Sequence, residues 1–133
     1  MAAGGIISVK TILIVDDEPQ IAEIAGDYLR VAGFDVITTG DGVRALEMVR
    51  GRHPDLVVLD LGLPGMDGYE VARQIRRQCK DAITIVALTG YGEDHARRQT
   101  AAAGFDAHLV KPVEPDELRR LLADRGAIGG GST

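Results

Sequence analysis

The sequence predicts an α/β protein in which one parallel sheet lies between two layers of helices. Three observations support this class: short apolar runs recur, stretches with helical apolar spacing follow them, and the two kinds alternate through five units. Strands that are apolar throughout need cover on both faces. Because crossovers between parallel strands are right-handed, the alternation predicts a doubly wound three-layer sandwich.

The first two units each pair a strand with a helix. Residues 12–15 are too short for a helix and rich in β-branched side chains, which predicts a buried strand. Apolar residues recur at helical spacing over residues 21–32, and Gly33 is placed to stop this helix. Residues 34–38 predict the second strand, and residues 42–51 predict a helix that ends near its final glycine.

The third and fourth units follow the same order. Residues 56–59 predict the third strand, and the spacing of Asp67 and Glu70 predicts a capping box at the start of the third helix. Residues 83–88 predict the fourth strand. The fourth helix, over about residues 92–103, offers little apolar area, so we expect it to pack shallowly and to be free to shift.

The fifth unit completes the predicted domain. Residues 107–110 predict the last strand, and a helix begun by Pro115 at a first-turn position follows it. The composition of residues 1–10 and 126–133 predicts a flexible N-terminal segment and a flexible tail or linker. We therefore expect one domain over residues 11–125.

The bulk composition limits the function classes. A chain of 133 residues has room for one domain, and its formal net charge of -5 predicts no direct nucleic-acid partner. Its one cysteine, Cys79, excludes an internal disulfide framework and is expected to be a partly buried structural thiol. No apolar run reaches the roughly 18 residues of a spanning helix, so we expect no membrane insertion and a cytoplasmic location.

Carboxylates come at the ends of two predicted strands. Asp16, Asp17 and Glu18 follow the first strand, and Asp60 follows the third. Ligand sites in doubly wound sheets form beyond the carboxyl ends of the strands, which places these side chains on one rim. Their mutual repulsion favours a hard cation, and Mg²⁺ suits oxygen ligands of this kind, with Mn²⁺ as a substitute.

A phosphoryl group is the ligand that this rim suits best. Asp60 precedes a turn-prone loop that would leave its carboxylate open to act as a nucleophile. The hydroxyl of Thr89, after the fourth strand, and the ammonium of Lys111, after the fifth, can meet the charge of a transferring phosphoryl group. Taken one at a time, these residues also fit plain structural roles as helix caps or surface side chains.

Four separated motifs resemble the response-regulator receiver family. They are VDDEP at residues 15–19, LDLGLPGMDG at 59–68, LTG at 88–90 and VKP at 110–112, and the resemblance covers essentially all of residues 11–125. Each motif stands at the end of the appropriate strand, which makes the joint signal far more specific than any one motif. The resemblance implies a flavodoxin-like sheet with strand order 2-1-3-4-5.

The resemblance also implies a role for each site residue. Asp60 corresponds to the phosphorylated aspartate, Thr89 to the switch hydroxyl and Lys111 to the phosphate-binding lysine. The implied metal ligands are Asp16, Asp17, Asp60 and the backbone carbonyl of Gly62. A cis peptide bond before Pro112 is also implied and would help to aim the lysine.

Two departures from the family pattern bear on the switch. His108 occupies the position where the family commonly has an aromatic switch residue; histidine can still rotate there, but an aromatic switch is not expected. Gly62 and Tyr91 occupy positions that tune dephosphorylation. Gly62 has no side chain to orient water and Tyr91 would shield the phosphoryl group, so we expect slow self-hydrolysis.

The expected function is that of a signalling switch rather than of an enzyme with its own substrate. A histidine kinase or phosphotransfer protein would donate phosphate to Asp60, and the added charge would shift the face around the fourth helix, fifth strand and fifth helix. A weak homodimer through the same face is an open alternative. Residues 104–113 are similar to receivers of hybrid sensor histidine kinases, which slightly favours a fragment of such a kinase over a stand-alone protein.

Other function classes fit the sequence less well. A phosphatase with an aspartyl intermediate would carry a second catalytic acid two residues after the nucleophile, where this chain has Gly62. A flavin carrier would need a hydroxyl- and glycine-rich loop after the first strand, whereas the acidic residues there repel phosphate. A degenerate receiver used only for docking is a further alternative, although it has little need of an intact acidic set.

Overall fold

Five strands form one parallel sheet in this computed structural model, which describes residues 11–63, 65, 67–79, 83–90, 103–111 and 113–124. The strands are β1 (Thr11–Val15), β2 (Asp35–Thr39), β3 (Leu56–Asp60), β4 (Thr84–Thr89) and β5 (Ala107–Val110). The helices are α1 (Pro19–Val31), α2 (Gly42–Arg52), α3 (Gly68–Cys79) and α4 (Pro115–Asp124), which is the predicted fifth helix. The order β2-β1-β3-β4-β5 confirms the predicted flavodoxin-like topology. Most of the helix predicted over residues 92–103 lies outside the described residues.

Apolar clusters cover both faces of the sheet. One packs the strands against α1 and α4, and the other packs them against α2 and α3. Fully buried members include Ile12, Leu29 and Leu122 in the first cluster and Leu13, Leu59 and Ile75 in the second. Burying each such side chain stabilises the fold by about 1.5–3 kcal/mol, and alternate strand residues serve opposite layers. No helix in the described part of the chain is long and apolar enough to cross a membrane.

The observed helix ends follow local backbone chemistry. Gly33 has a φ of 105° and stops α1 as predicted. The predicted end of α2 near Gly51 is confirmed, because the helix ends at Arg52 and His53 then adopts the left-handed conformation, with φ 50° and ψ 57°. Pro54 follows, and a residue before proline is disfavoured in the right-handed helical region. The helix therefore ends one residue after Gly51, and His53 makes the turn that leaves it.

Two side chains lie where their position in the sequence pattern would not place them. Ile24 belongs to the apolar spacing of α1, but it is 66% exposed, and the helix buries Ala22, Gly26 and Leu29. The small residues Ala22 and Gly26 allow the helix to lie close to the sheet. Arg73 and Arg77 are exposed on α3, whereas the guanidinium of Arg76 reaches across to the connection that precedes β5.

Candidate functional site

The sheet brings the ends of four strands to one rim. Asp60 is the last residue of β3, and Thr89 is the last residue of β4. Asp16 follows β1 directly, and Lys111 follows β5, whose final residue Val110 pairs with Thr89. The candidate residues that the sequence placed after four separate strands therefore lie together at the carboxyl edge of the sheet.

Three carboxylates converge at this rim. Asp16, Asp17 and Asp60 each offer one oxygen, and these oxygens all lie within 4.8 Å of one another. Asp16 and Asp60 are buried, and Asp17 is exposed to solvent. Like charges held this close repel one another, and a single hard cation bound by carboxylate oxygens would relieve that repulsion.

Asp16 is the most deeply placed of the three. Its Oδ1 accepts the backbone N–H of Glu18 at 2.9 Å, which bends the chain away from β1 towards α1. Within the described residues its buried Oδ2 accepts no hydrogen bond of good geometry, although Lys111 Nζ lies 3.3 Å away as an ion-pair partner. Burial raises the pKa of Asp16, the charge of Asp60 adds to the rise, and the Glu18 N–H and Lys111 oppose it.

Asp60 is held at both carboxylate oxygens. Its Oδ1 accepts the backbone N–H of Gly62 at 2.9 Å, and its Oδ2 accepts a hydrogen bond from Lys111 Nζ at 3.2 Å. The role of the Gly62 carbonyl as a metal ligand stays a prediction. The start of α3 packs directly on the Asp60 backbone, because a β-carbon at Gly68 would lie 2.7 Å from the Asp60 carbonyl oxygen. Only glycine fits at that position without a shift of the backbone.

Lys111 links the acidic residues to one another. Its side chain is 18% exposed, and its Nζ lies 2.7 Å from Glu18, 3.2 Å from Asp60 and 3.3 Å from Asp16. Burial alone would lower the pKa of Lys111. The hydrogen bonds to Glu18 and Asp60 and the charges of Asp16 and Asp60 outweigh burial, so the pKa is raised well above its ordinary value. Lys111 is therefore charged whenever the carboxylates around it are ionised.

A cavity of about 610 Å³ opens over these groups. Its lining consists of Asp17, Glu18, Asp60, Leu61, Gly62, Tyr69, Thr89, Gly90 and Lys111. It contains a carboxylate, a hydroxyl and an ammonium that could face one phosphoryl group from different sides. The volume leaves room for a hydrated ion beside that group.

Four residues of this cavity were not among the predicted site residues, namely Glu18, Leu61, Tyr69 and Gly90. Glu18 provides the shortest contact to Lys111, and its place in the run of three acidic residues after β1 was the available signal. Tyr69 forms part of the wall, and only its position just after a predicted helix cap pointed to the rim. Asp67 does cap α3, since its Oδ1 accepts the N–H of Tyr69 at 3.0 Å, whereas Glu70 turns to Arg73 instead of closing the predicted capping box.

The remaining predicted positions lie away from the carboxylates or beyond the described residues. His108 is half-buried in β5, where it pairs with Ala87, and it is not among the residues that line the cavity. Its role as a switch stays a prediction. Tyr91 and Pro112 lie outside the described residues, so the shielding by Tyr91 and the cis bond before Pro112 also stay predictions.

A curated relative supports a signalling role for this arrangement. The chain is 43% identical over 109 residues to the DNA-binding response regulator MtrA of Mycolicibacterium smegmatis, a match that covers 82% of this chain and 47% of that protein. The chain spans about half the length of the curated relatives it matches.

Solved structures with the same fold include two that contain magnesium. One is the receiver domain of the sensor histidine kinase PA1611 from Pseudomonas aeruginosa PAO1, with a magnesium ion in the active-site cleft; it has a TM-score of 0.78 and 31% identity and covers 88% of this chain and 97% of that chain. The other is the response regulator TrrA from Thermotoga maritima in complex with Mg²⁺ and BeF. It has a TM-score of 0.77 and 37% identity, and the match covers 86% of this chain and 97% of that chain.

The family assignment rests on the whole domain rather than on the rim alone. The model of the response regulator receiver domain matches residues 12–123, which include all of the sheet except Thr11 and all the residues that line the cavity. Together with the strand order and the 43% identical relative, this match makes the chain a member of the response regulator receiver family of two-component signalling systems.

Proposed function

We propose that this chain is a phospho-acceptor receiver in which Asp60 takes a phosphoryl group in a Mg²⁺-dependent reaction. The observation that carries the proposal is the setting of the Asp60 carboxylate. It lies 3.2 Å from Lys111 Nζ and within 4.8 Å of ligand oxygens of Asp16 and Asp17. A nucleophile, a fixed cation and two further carboxylates that could hold a metal thus lie together at one rim of the sheet.

The transfer is an exchange of one phosphorus bond for another. A carboxylate oxygen of Asp60 attacks the phosphorus of a phosphohistidine, the phosphorus–nitrogen bond breaks, and the imidazole of the donor leaves. Lys111 neutralises a phosphoryl oxygen, and the Thr89 hydroxyl at the end of β4 donates a hydrogen bond to another. Since the hydrogen bond from Gly62 orients Asp60 before the donor arrives, little reorganisation is needed.

The acidic residues fit a magnesium ion. Asp16 Oδ2 is buried, has no hydrogen bond of good geometry among the described residues and belongs to a carboxylate whose pKa is raised by burial. Asp16, Asp17 and Asp60 would hold the ion, with the Gly62 carbonyl as a further ligand, and Mn²⁺ has the same preference for oxygen. When bound, the ion offsets negative charge on the carboxylates and on the phosphoryl group.

The expected partners follow from the proposed transfer of a phosphoryl group from a phosphohistidine donor to Asp60. A histidine kinase or a histidine phosphotransfer protein would supply the phosphoryl group, which carries about -1.5 to -2 charges at neutral pH. That charge competes with Glu18, Asp16 and Asp60 for Lys111, which follows β5 directly. We propose that the change reaches the face that includes β5 and α4, where a downstream protein or a second copy would bind.

Phosphotransfer from a labelled donor tests the acceptor assignment. Wild-type protein should be labelled in the presence of Mg²⁺, and Asp60→Ala should not be labelled. Asp35→Asn serves as the matched control, because Asp35 is an exposed aspartate at the opposite end of the sheet. It should be labelled like the wild type. Undiminished labelling of Asp60→Ala, or wild-type labelling that is unchanged by EDTA, would refute the proposal.

A further inference from the structure

Tyr69 is held in a fixed position relative to Asp60. It is the second residue of α3, and its backbone N–H is capped by Asp67 Oδ1 at 3.0 Å. The residue before it, Gly68, lies so close to the Asp60 carbonyl that a β-carbon would approach to 2.7 Å. The cap fixes the start of α3, and the close approach of Gly68 holds that start against the backbone of Asp60, so Tyr69 has a defined place in the cavity wall beside the carboxylate.

The ring of Tyr69 is in contact with the ring of Phe105. The two ring centroids are 6.2 Å apart and the planes meet at 89°, which is an edge-to-face contact. Phe105 lies in the connection just before β5, and it packs against the buried cluster under α2 and α3. Tyr69 therefore spans the distance between the cavity and this apolar cluster.

From this geometry we propose that Tyr69 is a positioning residue that restricts the approach of water to the phosphorylated Asp60, and that Phe105 holds the tyrosine ring in place. The inference rests on the proposed phosphorylation of Asp60. In the hydrolysis that it slows, a water oxygen attacks phosphorus and the bond to the Asp60 oxygen breaks. Asp60 returns as a carboxylate, and both hydrogens of the water leave with inorganic phosphate.

The ring, rather than the hydroxyl, carries this role. A half-buried ring in the wall excludes water from the volume that it fills, and its edge-to-face partner limits how far it can swing. Phe105 lines no part of the cavity among the described residues, so its influence on hydrolysis passes through Tyr69. If Phe105 acts only by holding Tyr69, its substitution has no effect once Tyr69 is removed, whereas two independent structural residues would each have their own effect.

The experiment measures the rate of phosphate loss from purified phosphorylated protein after removal of the donor. Tyr69→Ala should lose phosphate faster, on the order of tenfold. Phe105→Ala should accelerate the loss by about two- to tenfold, the range that corresponds to the loss of an aromatic pair. The double variant should match Tyr69→Ala alone, and Tyr69→Phe should retain slow loss.

The controls separate this inference from folding and from the proposed function. Tyr28→Ala removes a half-buried tyrosine that packs on the other face of the sheet, and it should leave the rate of loss unchanged. Tyr69→Leu serves if the alanine variant does not fold, and it should still lose phosphate faster than Tyr69→Phe. Unchanged loss in Tyr69→Ala or Tyr69→Leu, or additive effects in the double variant, would overturn the inference while Asp60 labelling still supports the function. Absence of wild-type labelling would instead overturn the function itself.

Discussion

Lys111 Nζ lies 2.7 Å from Glu18 Oε1, closer than it lies to Asp60 at 3.2 Å. The Glu18 side chain is 59% exposed, so this contact is an ion pair at the mouth of the cavity rather than inside it. An incoming phosphoryl group must draw the lysine away from Glu18. The pair therefore opposes phosphorylation by a small amount, as an exposed ion pair does.

Removal of this competing charge should favour phosphorylation. Glu18→Gln leaves the side-chain size unchanged but weakens the hold on Lys111. Because exposed ion pairs contribute up to about 1 kcal/mol, we expect beryllofluoride to bind up to about fivefold more tightly to the variant. Titration of beryllofluoride in the presence of Mg²⁺ measures the change. Glu47→Gln, on the exposed face of α2, is the control and should bind as the wild type does. Weaker binding by Glu18→Gln would contradict the competition.

The buried charge of Asp16 should cost stability when no metal is bound. Burial and the nearby Asp60 charge raise its pKa, so ionised Asp16 destabilises the folded state. Asp16→Asn retains an oxygen for the Glu18 N–H. We expect its melting temperature in EDTA to rise by a few degrees, which corresponds to roughly 1 kcal/mol in a domain of this size.

Magnesium should reverse the order of these two proteins. Addition of Mg²⁺ should stabilise the wild type and have little effect on Asp16→Asn, because the variant lacks one of the proposed ligands. Thermal melts with and without the ion provide the measurement. Equal stabilisation of both proteins would show that Asp16 does not hold the metal.

The absence of a side chain at Gly62 should slow the loss of phosphate. A β-carbon there would lie 3.5 Å from Asp60 Oδ1, which is ordinary van der Waals contact, so the position accepts a side chain directly over the carboxylate. Gly62→Asn should place an amide that orients water and accelerate phosphate loss by about two- to tenfold, the equivalent of one hydrogen bond. Gly62→Ala adds carbon alone and should not accelerate it. Equal rates of phosphate loss from the wild type and from Gly62→Asn would contradict this expectation.

The titration of Tyr69 should report on its enclosure. Burial of the ring and the charge of Asp67 raise the pKa of Tyr69 above its ordinary value of 10.0. On unfolding the phenol ionises at lower pH than in the folded protein, so its contribution to stability is full below about pH 10 and falls as the pH rises further. When tyrosinate absorbance is followed as the pH rises, one component should titrate at higher pH than an ordinary tyrosine, and Tyr69→Phe should remove it. A titration that is unchanged in shape by Tyr69→Phe would argue against the enclosure.

The contacts of Arg76 should be specific to its guanidinium. The group donates to Gly104 O at 2.8 Å and to Ile83 O at 2.6 Å, and it pairs with Asp106. A lysine cannot reach these acceptors with the same fork, so Arg76→Lys should lower the free energy of unfolding by about 2 kcal/mol. Arg77→Lys changes an exposed neighbour on the same helix and should stay within about 0.5 kcal/mol. Urea denaturation compares the two, and equal effects would contradict a specific role for Arg76.

Much of the fold was predictable because its signals are local. Alternating apolar runs and helical spacings identify strands and helices without knowledge of their neighbours, and the crossover rule then leaves few ways to arrange them. Gly33 ended its helix as predicted, since a left-handed turn is a property of a few residues. The end of α2 was also predicted to within one residue, whereas the left-handed conformation of His53 was not predicted, because non-glycine residues rarely adopt it.

The sequence by itself determined the order of the elements and placed Asp16, Asp17, Asp60, Thr89 and Lys111 after strands whose ends meet in a parallel sheet. Only the tertiary structure decided how those groups interact. It set Glu18 as the shortest partner of Lys111 and placed Tyr69 against Phe105, a residue far along the chain. Such contacts depend on side-chain direction and on the packing of α3 against the sheet, which no local pattern encodes.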